Sequence, residues 1–117
     1  MFNIITYVDA HGNDPVQEFI HELDNRMDKF SKSLLKKISH QMKVVEELGT
    51  RAPKKMAKYV RGPIWELRPG AYRIFFFVEG NTIILLHPYR KASNKTPESE
   101  KEQAERERKD WISRHRA

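Results

Sequence analysis

Two arginines flank a predicted turn inside the most apolar part of this 117-residue chain. Arg68 precedes Pro69-Gly70 and Arg73 follows it, while Arg90 and Lys91 come directly after the last apolar run. A guanidinium is a permanent cation whose planar donors match the oxygens of a phosphate. Such cations can stabilise the charge that develops on phosphorus while the 2′-hydroxyl of RNA acts as the nucleophile. The residue types therefore indicate phosphate binding or RNA cleavage without a metal.

The length of the turn decides what the two arginines face. In a two-residue loop, Arg73 lies opposite Glu66 and forms an ordinary cross-strand ion pair, worth about 0.2–1 kcal/mol. In a four-residue loop, Pro69 to Tyr72, Arg68 lies opposite Arg73, which is unfavourable unless an anion sits between them. Pro-Gly prefers a type II turn, whose twist suits a two-residue hairpin poorly. The sequence therefore favours the longer loop and a phosphate at the arginines, with the plain ion pair as the alternative.

Basic side chains are concentrated around this turn. Residues 51–97 carry ten basic and two acidic side chains, whereas residues 1–50 carry six and eight, and residues 98–117 carry six of each. A basic patch on one part of a domain indicates a polyanionic partner, most often nucleic acid. We predict that Lys54, Lys55, Lys58 and Lys95 bind the RNA backbone, a contribution that weakens with salt.

Other side chains near the basic groups are candidates for the same site. Tyr72 and Tyr89 offer rings on which unstacked bases can lie. His87 ends the last strand beside the basic pair and is a catalytic candidate, although a lone histidine in such a place is more often structural. The chain has no cysteine and no cluster of histidines or carboxylates with metal-ligand spacing. The sequence therefore predicts neither a metal site nor a cofactor.

The elements that must position these residues form one α+β domain over residues 1–117. The predicted order is β-α-α-β-β-β-α: an N-terminal strand, a two-helix hairpin, a three-stranded antiparallel meander and a C-terminal helix, with the helices on one face of the sheet. The boundaries are a strand over 2–8, helices from Asp14 to about Arg26 and from about Asp28 to Leu48, a basic connector over 50–63, strands at 64–68, 72–78 and 82–87, and a helix over 96–117.

The C-terminal helix has few apolar positions, namely Ala104, Trp111 and Ile112. Its balanced charges favour a solvated helix, whereas Trp111 favours docking on this domain or on a partner.

No apolar run approaches the roughly 20 residues that span a bilayer. The N-terminus lacks the pattern of a signal peptide, so we expect no membrane association and a cytoplasmic location.

Nearly the whole chain resembles one protein family. The stretch IWELRPGAYRIFFFVEGNTIILLHPYRKASNKTP, followed by ESEKEQAERERKDW, is similar to the phage-derived Gp49-like/HigB branch of the RelE toxin superfamily. The stretches YVDAHGNDPVQEFIHEL and ELGTRAP resemble it too. Each motif alone is weak, but their combination in this order is fairly specific.

The resemblance implies a RelE-like fold and a toxin of a type II toxin–antitoxin system. Such a toxin is a metal-independent endoribonuclease that cuts mRNA, usually on the translating ribosome. It implies a complex with a cognate helix-turn-helix antitoxin, and leaves the oligomeric state of the toxin alone open.

The resemblance also implies roles for particular residues. By position, Arg73 contacts the scissile phosphate, and Arg68 matches the arginine that ends the preceding strand. Arg90 and Lys91 match the basic pair after the last strand, and Tyr89 stands where many relatives have phenylalanine. The general base stays open among Lys91, His87 and Glu66.

Overall fold

A five-stranded mixed sheet organises the chain, in the order β1-β5-β4-β3-β2. The structure, a computed structural model, describes residues 1–116. The strands are β1 (Asn3–Thr6), β2 (Ala57–Arg61), β3 (Ile64–Leu67), β4 (Tyr72–Glu79) and β5 (Thr82–Arg90). Strands β2 to β5 form an antiparallel meander, and β1 pairs in parallel with β5. The α+β class is confirmed, and the predicted elements occur in the predicted order, with one further strand, β2, before the predicted meander.

The helices begin and end close to the residues that the caps predicted. They are α1 (Pro15–Arg26), α2 (Lys29–Leu48) and α3 (Glu98–His115), and a short 3₁₀ turn, Gly49–Arg51, follows α2. The Asp14 side chain accepts the backbone N–H of Gln17 at 3.0 Å, which caps α1. The last residue of the predicted C-terminal helix, 117, lies outside the described residues. No helix within residues 1–116 is both long and apolar enough to cross a membrane.

Helices cover both faces of the sheet, so the prediction that they share one face is wrong. Ile74 and Phe76 of β4 pack in the core under α1 and α2, whereas Phe75 and Phe77 pack in a second core with α3. All four side chains are fully buried. A strand that is apolar on both sides needs cover on both sides, and only α3 remains to supply the second layer.

The C-terminal helix α3 docks on this domain and is not a freely solvated helix. Ala104 and Trp111 are buried, and the Trp111 ring meets the Phe77 ring edge-on at 5.6 Å. The Tyr7 hydroxyl donates a 2.6 Å hydrogen bond to Asp110, which ties α3 to the end of β1. The helix is therefore held on the sheet by a few widely spaced residues and has no continuous apolar stripe.

Strand β2 lies where the sequence predicted only a basic connector, and it extends the meander from three strands to four. It pairs with β3 through Ala57–Leu67 and Lys58–Glu66, and a bulge follows Tyr59. Edge strands tolerate lysine and need little apolar surface, so this segment lacks the usual pattern of a strand. As a result, β2 brings Lys58 beside Glu66, next to the turn between Arg68 and Arg73.

Candidate active site

The β3–β4 turn has the longer of the two loops considered from the sequence. Glu66 pairs with Phe75 and Leu67 with Ile74, and continuing this register places Arg68 opposite Arg73. The backbone N–H of Tyr72 donates to the Pro69 carbonyl at 3.0 Å. Gly70 has a φ of +58°, a conformation that favours glycine. The four-residue loop, Pro69 to Tyr72, is therefore confirmed.

A carboxylate of the protein itself lies between the two arginines. Glu66 Oε2 is 3.6 Å from Arg73 Nε and 3.7 Å from Arg68 Nε. Glu66 is only 4% exposed. We call these three residues the arginine cluster. The Arg73–Glu66 pair thus forms diagonally within the longer loop, at distances beyond a good hydrogen bond.

The backbone of the turn fixes the Arg73 guanidinium. Arg73 is 6% exposed, and its Nη1 donates to the carbonyls of Gly70 at 2.9 Å and Tyr72 at 2.7 Å. Burial and the neighbouring charge of Arg68 lower the pKa of Arg73, while Glu66 opposes them. The guanidinium is therefore oriented before any ligand binds, with its Nε towards Glu66.

Arg68 is positioned by a residue that the sequence analysis missed. The Gln41 side chain accepts the Arg68 backbone N–H at 3.0 Å and donates to the Arg68 carbonyl at 3.1 Å. Gln41 occupies the core-facing stripe of α2 between Ile38 and Val45. A polar residue in an apolar stripe was the available signal. Within residues 1–116 the buried Arg68 Nε has no hydrogen-bond partner, and Glu66 Oε2 lies 3.7 Å from it.

The electrostatics of Glu66 suit a proton acceptor. Burial raises the pKa of Glu66, and the charges of Arg73, Arg68 and Lys58 offset only part of that effect. The Tyr89 hydroxyl lies 3.5 Å from Glu66 Oε1 and 3.3 Å from the Thr96 hydroxyl. Burial also raises the pKa of Tyr89, so its phenol stays protonated. A carboxylate with a raised pKa thus lies beside two cations and a phenol.

The structure places the two tyrosine rings away from an exposed stacking position. Tyr89 is buried and its ring stacks on Phe75, with centroids 5.2 Å apart. Tyr72 turns to the opposite face of the sheet, where its ring packs against Phe19 of α1 at 5.0 Å. Only the Tyr89 hydroxyl reaches the arginine cluster.

His87 belongs to a separate polar group between β5 and α3. Its Nδ1 lies 2.6 Å from Glu107 and its Nε2 lies 2.9 Å from Glu100. We call these three residues the histidine cluster. Burial acts to lower the pKa of His87, but the two carboxylates outweigh it and the pKa is raised. With both ring nitrogens engaged, His87 joins the sheet to α3 and is not brought to the arginine cluster.

The basic pair at the end of β5 divides between the two faces of the sheet. Tyr89 pairs with Arg73, so the next residue, Arg90, pairs with Tyr72 and points away from Arg73. The backbone N–H of Lys91 donates to Ala71 at 2.7 Å, which keeps Lys91 beside the turn. Lys91 is therefore the better placed of the two cations.

Two of the four predicted RNA-binding lysines line a cavity with Glu66, and the other two lie in the turn before β2. Lys58 lies opposite Glu66, and Lys95 shares a cavity with both. Lys54 and Lys55 are exposed in the turn before β2, and the Lys54 carbonyl accepts a hydrogen bond from Arg68 Nη1 at 3.4 Å.

No group of three or more His, Cys, Asp or Glu residues in the described chain is arranged to hold a metal.

The architecture is that of several solved toxin structures from Staphylococcus aureus. A YoeB–YefM complex matches with a TM-score of 0.55 and 15% identity, over 75% of this chain and 94% of that chain. A YoeB dimer matches with a TM-score of 0.55 and 17% identity, over 79% and 97%. A heterotetrameric YoeB–YefM complex matches with a TM-score of 0.53 and 15% identity, over 80% and 98%. At these identities the likeness establishes the fold.

The family follows from the sequence itself. Residues 25–109 match the family described as "Phage derived protein Gp49-like (DUF891)". The chain therefore belongs to the Gp49-like family, and the resemblance found in the sequence is confirmed at that level. A search of the curated proteins found no match.

Proposed function

We propose that this protein is the toxin of a type II toxin–antitoxin system, and that it cleaves mRNA on the translating ribosome without a metal. One observation carries the proposal. Glu66, a buried carboxylate with a raised pKa, lies within 3.7 Å of Arg73, which the turn holds in place, and of Arg68, whose backbone is held by Gln41. A base beside fixed cations is what attack by a ribose hydroxyl on its own phosphate requires.

The reaction follows from the geometry of the arginine cluster. Glu66 takes the proton of a ribose 2′-hydroxyl, and the bond from O2′ to phosphorus forms. Arg73 and Arg68 neutralise the charge on the non-bridging oxygens. The bond from phosphorus to the 5′-oxygen of the next nucleotide breaks, and that oxygen takes a proton. The products are a 2′,3′-cyclic phosphate and a 5′-hydroxyl.

Lys91 is the proposed donor to the leaving 5′-oxygen. Its backbone bond to Ala71 keeps it beside the turn, whereas Arg90 leaves β5 on the other face. The Tyr89 phenol, which lies 3.5 Å from Glu66, is protonated and supplies a second polar contact. His87 has no part in this proposal, because both of its nitrogens are held by α3.

The proposed partners are nucleic acid and an antitoxin. Lys54, Lys55, Lys58 and Lys95 would hold the backbone of mRNA or rRNA. The solved relatives include complexes of YoeB with YefM, and these support an antitoxin that forms a hetero-oligomer with this chain. A helix-turn-helix antitoxin, membership of the HigB branch and a cytoplasmic site of action remain predictions from the sequence resemblance.

Cleavage in a translating extract tests the proposed reaction. We expect purified protein to produce mRNA fragments with 2′,3′-cyclic phosphate ends. Glu66→Gln should lower the cleavage rate by about 100-fold or more, since it removes the general base. Glu22→Gln, on the exposed face of α1, is the matched control and should cut normally. Wild-type cleavage by Glu66→Gln, or products without cyclic ends, would contradict the mechanism.

A non-catalytic RNA-binding module of the same fold is the alternative function. It is favoured by the commitment of Arg73 Nη1 to two backbone carbonyls, which leaves fewer donors for a substrate. This alternative predicts salt-dependent RNA binding, no cleavage and no growth arrest when the protein is expressed in bacteria.

A further inference from the structure

A cavity of about 460 Å³ lies beside the arginine cluster, between β2, the loop after β5 and the first turn of α3. This volume is within the range of pockets that hold small ligands. Glu66 contributes to the wall of the cavity and also lies within 3.7 Å of both arginines. The cavity and the arginine cluster therefore share one carboxylate.

We propose that this cavity binds the nucleotide on the 5′ side of the scissile phosphate, and that Asn94 reads the base of that nucleotide. The inference rests on the proposed function. The attacking 2′-hydroxyl belongs to the nucleotide whose 3′-oxygen carries the scissile phosphate. If Glu66 accepts the proton of that hydroxyl, the ribose must lie against Glu66. Arg68 and Arg73 lie near Oε2 of this carboxylate, and Glu66 also forms part of the cavity wall.

The charges of the cavity wall fit a nucleotide. Lys58, Lys95 and Lys101 line it, and Lys58 pairs across the sheet with Glu66. The acidic residue at the rim, Glu98, is already held by two hydrogen bonds of 2.7 and 2.8 Å from Arg61. The lysines can bind the phosphates on either side of the ribose, but such contacts carry no information about the base.

Asn94 is the wall residue best suited to distinguish bases. A side-chain amide presents a donor and an acceptor in one plane, so it can form paired hydrogen bonds with a base edge. Lysines offer donors only. The neighbouring Thr96 accepts from the Tyr89 hydroxyl at 3.3 Å, which ties this loop to the arginine cluster. Sequence-specific recognition of RNA uses unstacked bases that are bound by their edges in this way.

Binding of nucleoside 3′-monophosphates tests the site independently of cleavage. The four compounds are titrated into the protein, and NMR follows the side-chain amide of Asn94. We expect saturable shifts at Asn94 and affinities that differ among the bases by about tenfold. Asn94→Ala should reduce that difference to about twofold. Shifts that inorganic phosphate reproduces, or affinities that are equal for all four bases, would overturn the assignment.

Mapping of the cut sites tests the same residue in the reaction. We expect the wild type to cut preferentially after particular bases. In Asn94→Ala, the ratio of cuts after the favoured base to cuts after the other bases should fall by about tenfold. Asn25→Ala, an exposed asparagine on α1, is the matched control and should keep the wild-type profile. An unchanged profile for Asn94→Ala would refute base reading but leave the proposed nuclease intact. If the wild type makes no cuts, the proposed nuclease fails and this inference fails with it.

Discussion

The arginine cluster and the histidine cluster both place buried carboxylates beside cations on the α3 face of the sheet, but they differ in how well they are satisfied. His87 has a carboxylate at 2.6 Å and another at 2.9 Å, on its two ring nitrogens. Glu66 has its cations at 3.6 and 3.7 Å, and Arg68 Nε has no hydrogen-bond partner among residues 1–116. The histidine cluster is complete, whereas the arginine cluster has capacity for another group.

By this difference the histidine cluster is a structural network, whereas the arginine cluster is a candidate site. Buried polar groups are normally hydrogen-bonded, and a satisfied network holds neighbouring elements together. A group of charges that is held in place but incompletely paired is a candidate for binding or catalysis. From the sequence, His87 was a catalytic candidate because it stands next to the basic end of β5, although a structural role was the more common one for such a histidine.

The largest effect is expected from Arg73→Ala. Loss of the guanidinium should lower the rate of RNA cleavage by about 100- to 1,000-fold, because it removes a fixed donor to the charged phosphate. The free energy of unfolding should change little. Glu66 has a raised pKa, so it can take up a proton when its cationic partner is removed. Rates in a translating extract and urea unfolding measure the two quantities. Arg26→Ala on α1 serves as the control, and near-normal cleavage by Arg73→Ala would remove Arg73 from the proposed site.

His87→Ala should show the reverse pattern. Breaking a buried charged pair leaves Glu107 without its partner and should lower the free energy of unfolding by about 3 kcal/mol. Cleavage per folded molecule should stay within a few-fold of the wild type. The double variant His87→Leu, Glu107→Leu should recover part of the lost stability, because it leaves no buried charge alone. If His87→Ala instead stops cleavage in a stable protein, the contrast between the clusters is wrong.

The smallest effects are expected from pH, and they should run in opposite directions. The raised pKa of His87 means that its contribution to stability is complete below its unfolded pKa, about 6.5, and is lost as pH rises through the folded value. The raised pKa of Glu66 means that cleavage should increase as pH rises through that value and the base ionises. Unfolding curves and cleavage rates between pH 5 and 9 measure these trends. His87→Ala should flatten the first trend only, and equal flattening of both would show that the clusters are coupled.

Much of the fold could be predicted because local signals agreed with it. Asp14 and Gly49 marked helix ends, and the preference of Pro-Gly gave the longer loop between Arg68 and Arg73. Strand β2 could not be found, because an edge strand needs few apolar residues. The position of α3 could have been inferred from the two apolar faces of β4, but its own apolar residues were too sparse to decide it.

The grouping of cations around the turn was predictable from the sequence, but the directions of some of their side chains were not. Arg68 and Arg73 were identified from the sequence, and Glu66 was among the possible bases. The direction of Arg90 follows from its pairing with Tyr72 on the far face, which depends on a register that shifts between Ile74 and Phe76. Such a bulge leaves no clear mark in the sequence, so residues beyond it could not be assigned to a face.

The parallel pairing of β1 with β5 sets an order of folding. Asn3 pairs with Thr82 and Thr6 with Leu85, so the first strand, β1, can join the sheet only after the last described strand, β5, has been made. The hairpins from β2 to β5 need only local contacts, and these form faster than contacts between distant parts of a chain. We therefore expect the arginine cluster to assemble before the N-terminus docks. During synthesis, most of the polypeptide must leave the ribosome before this edge of the sheet can close.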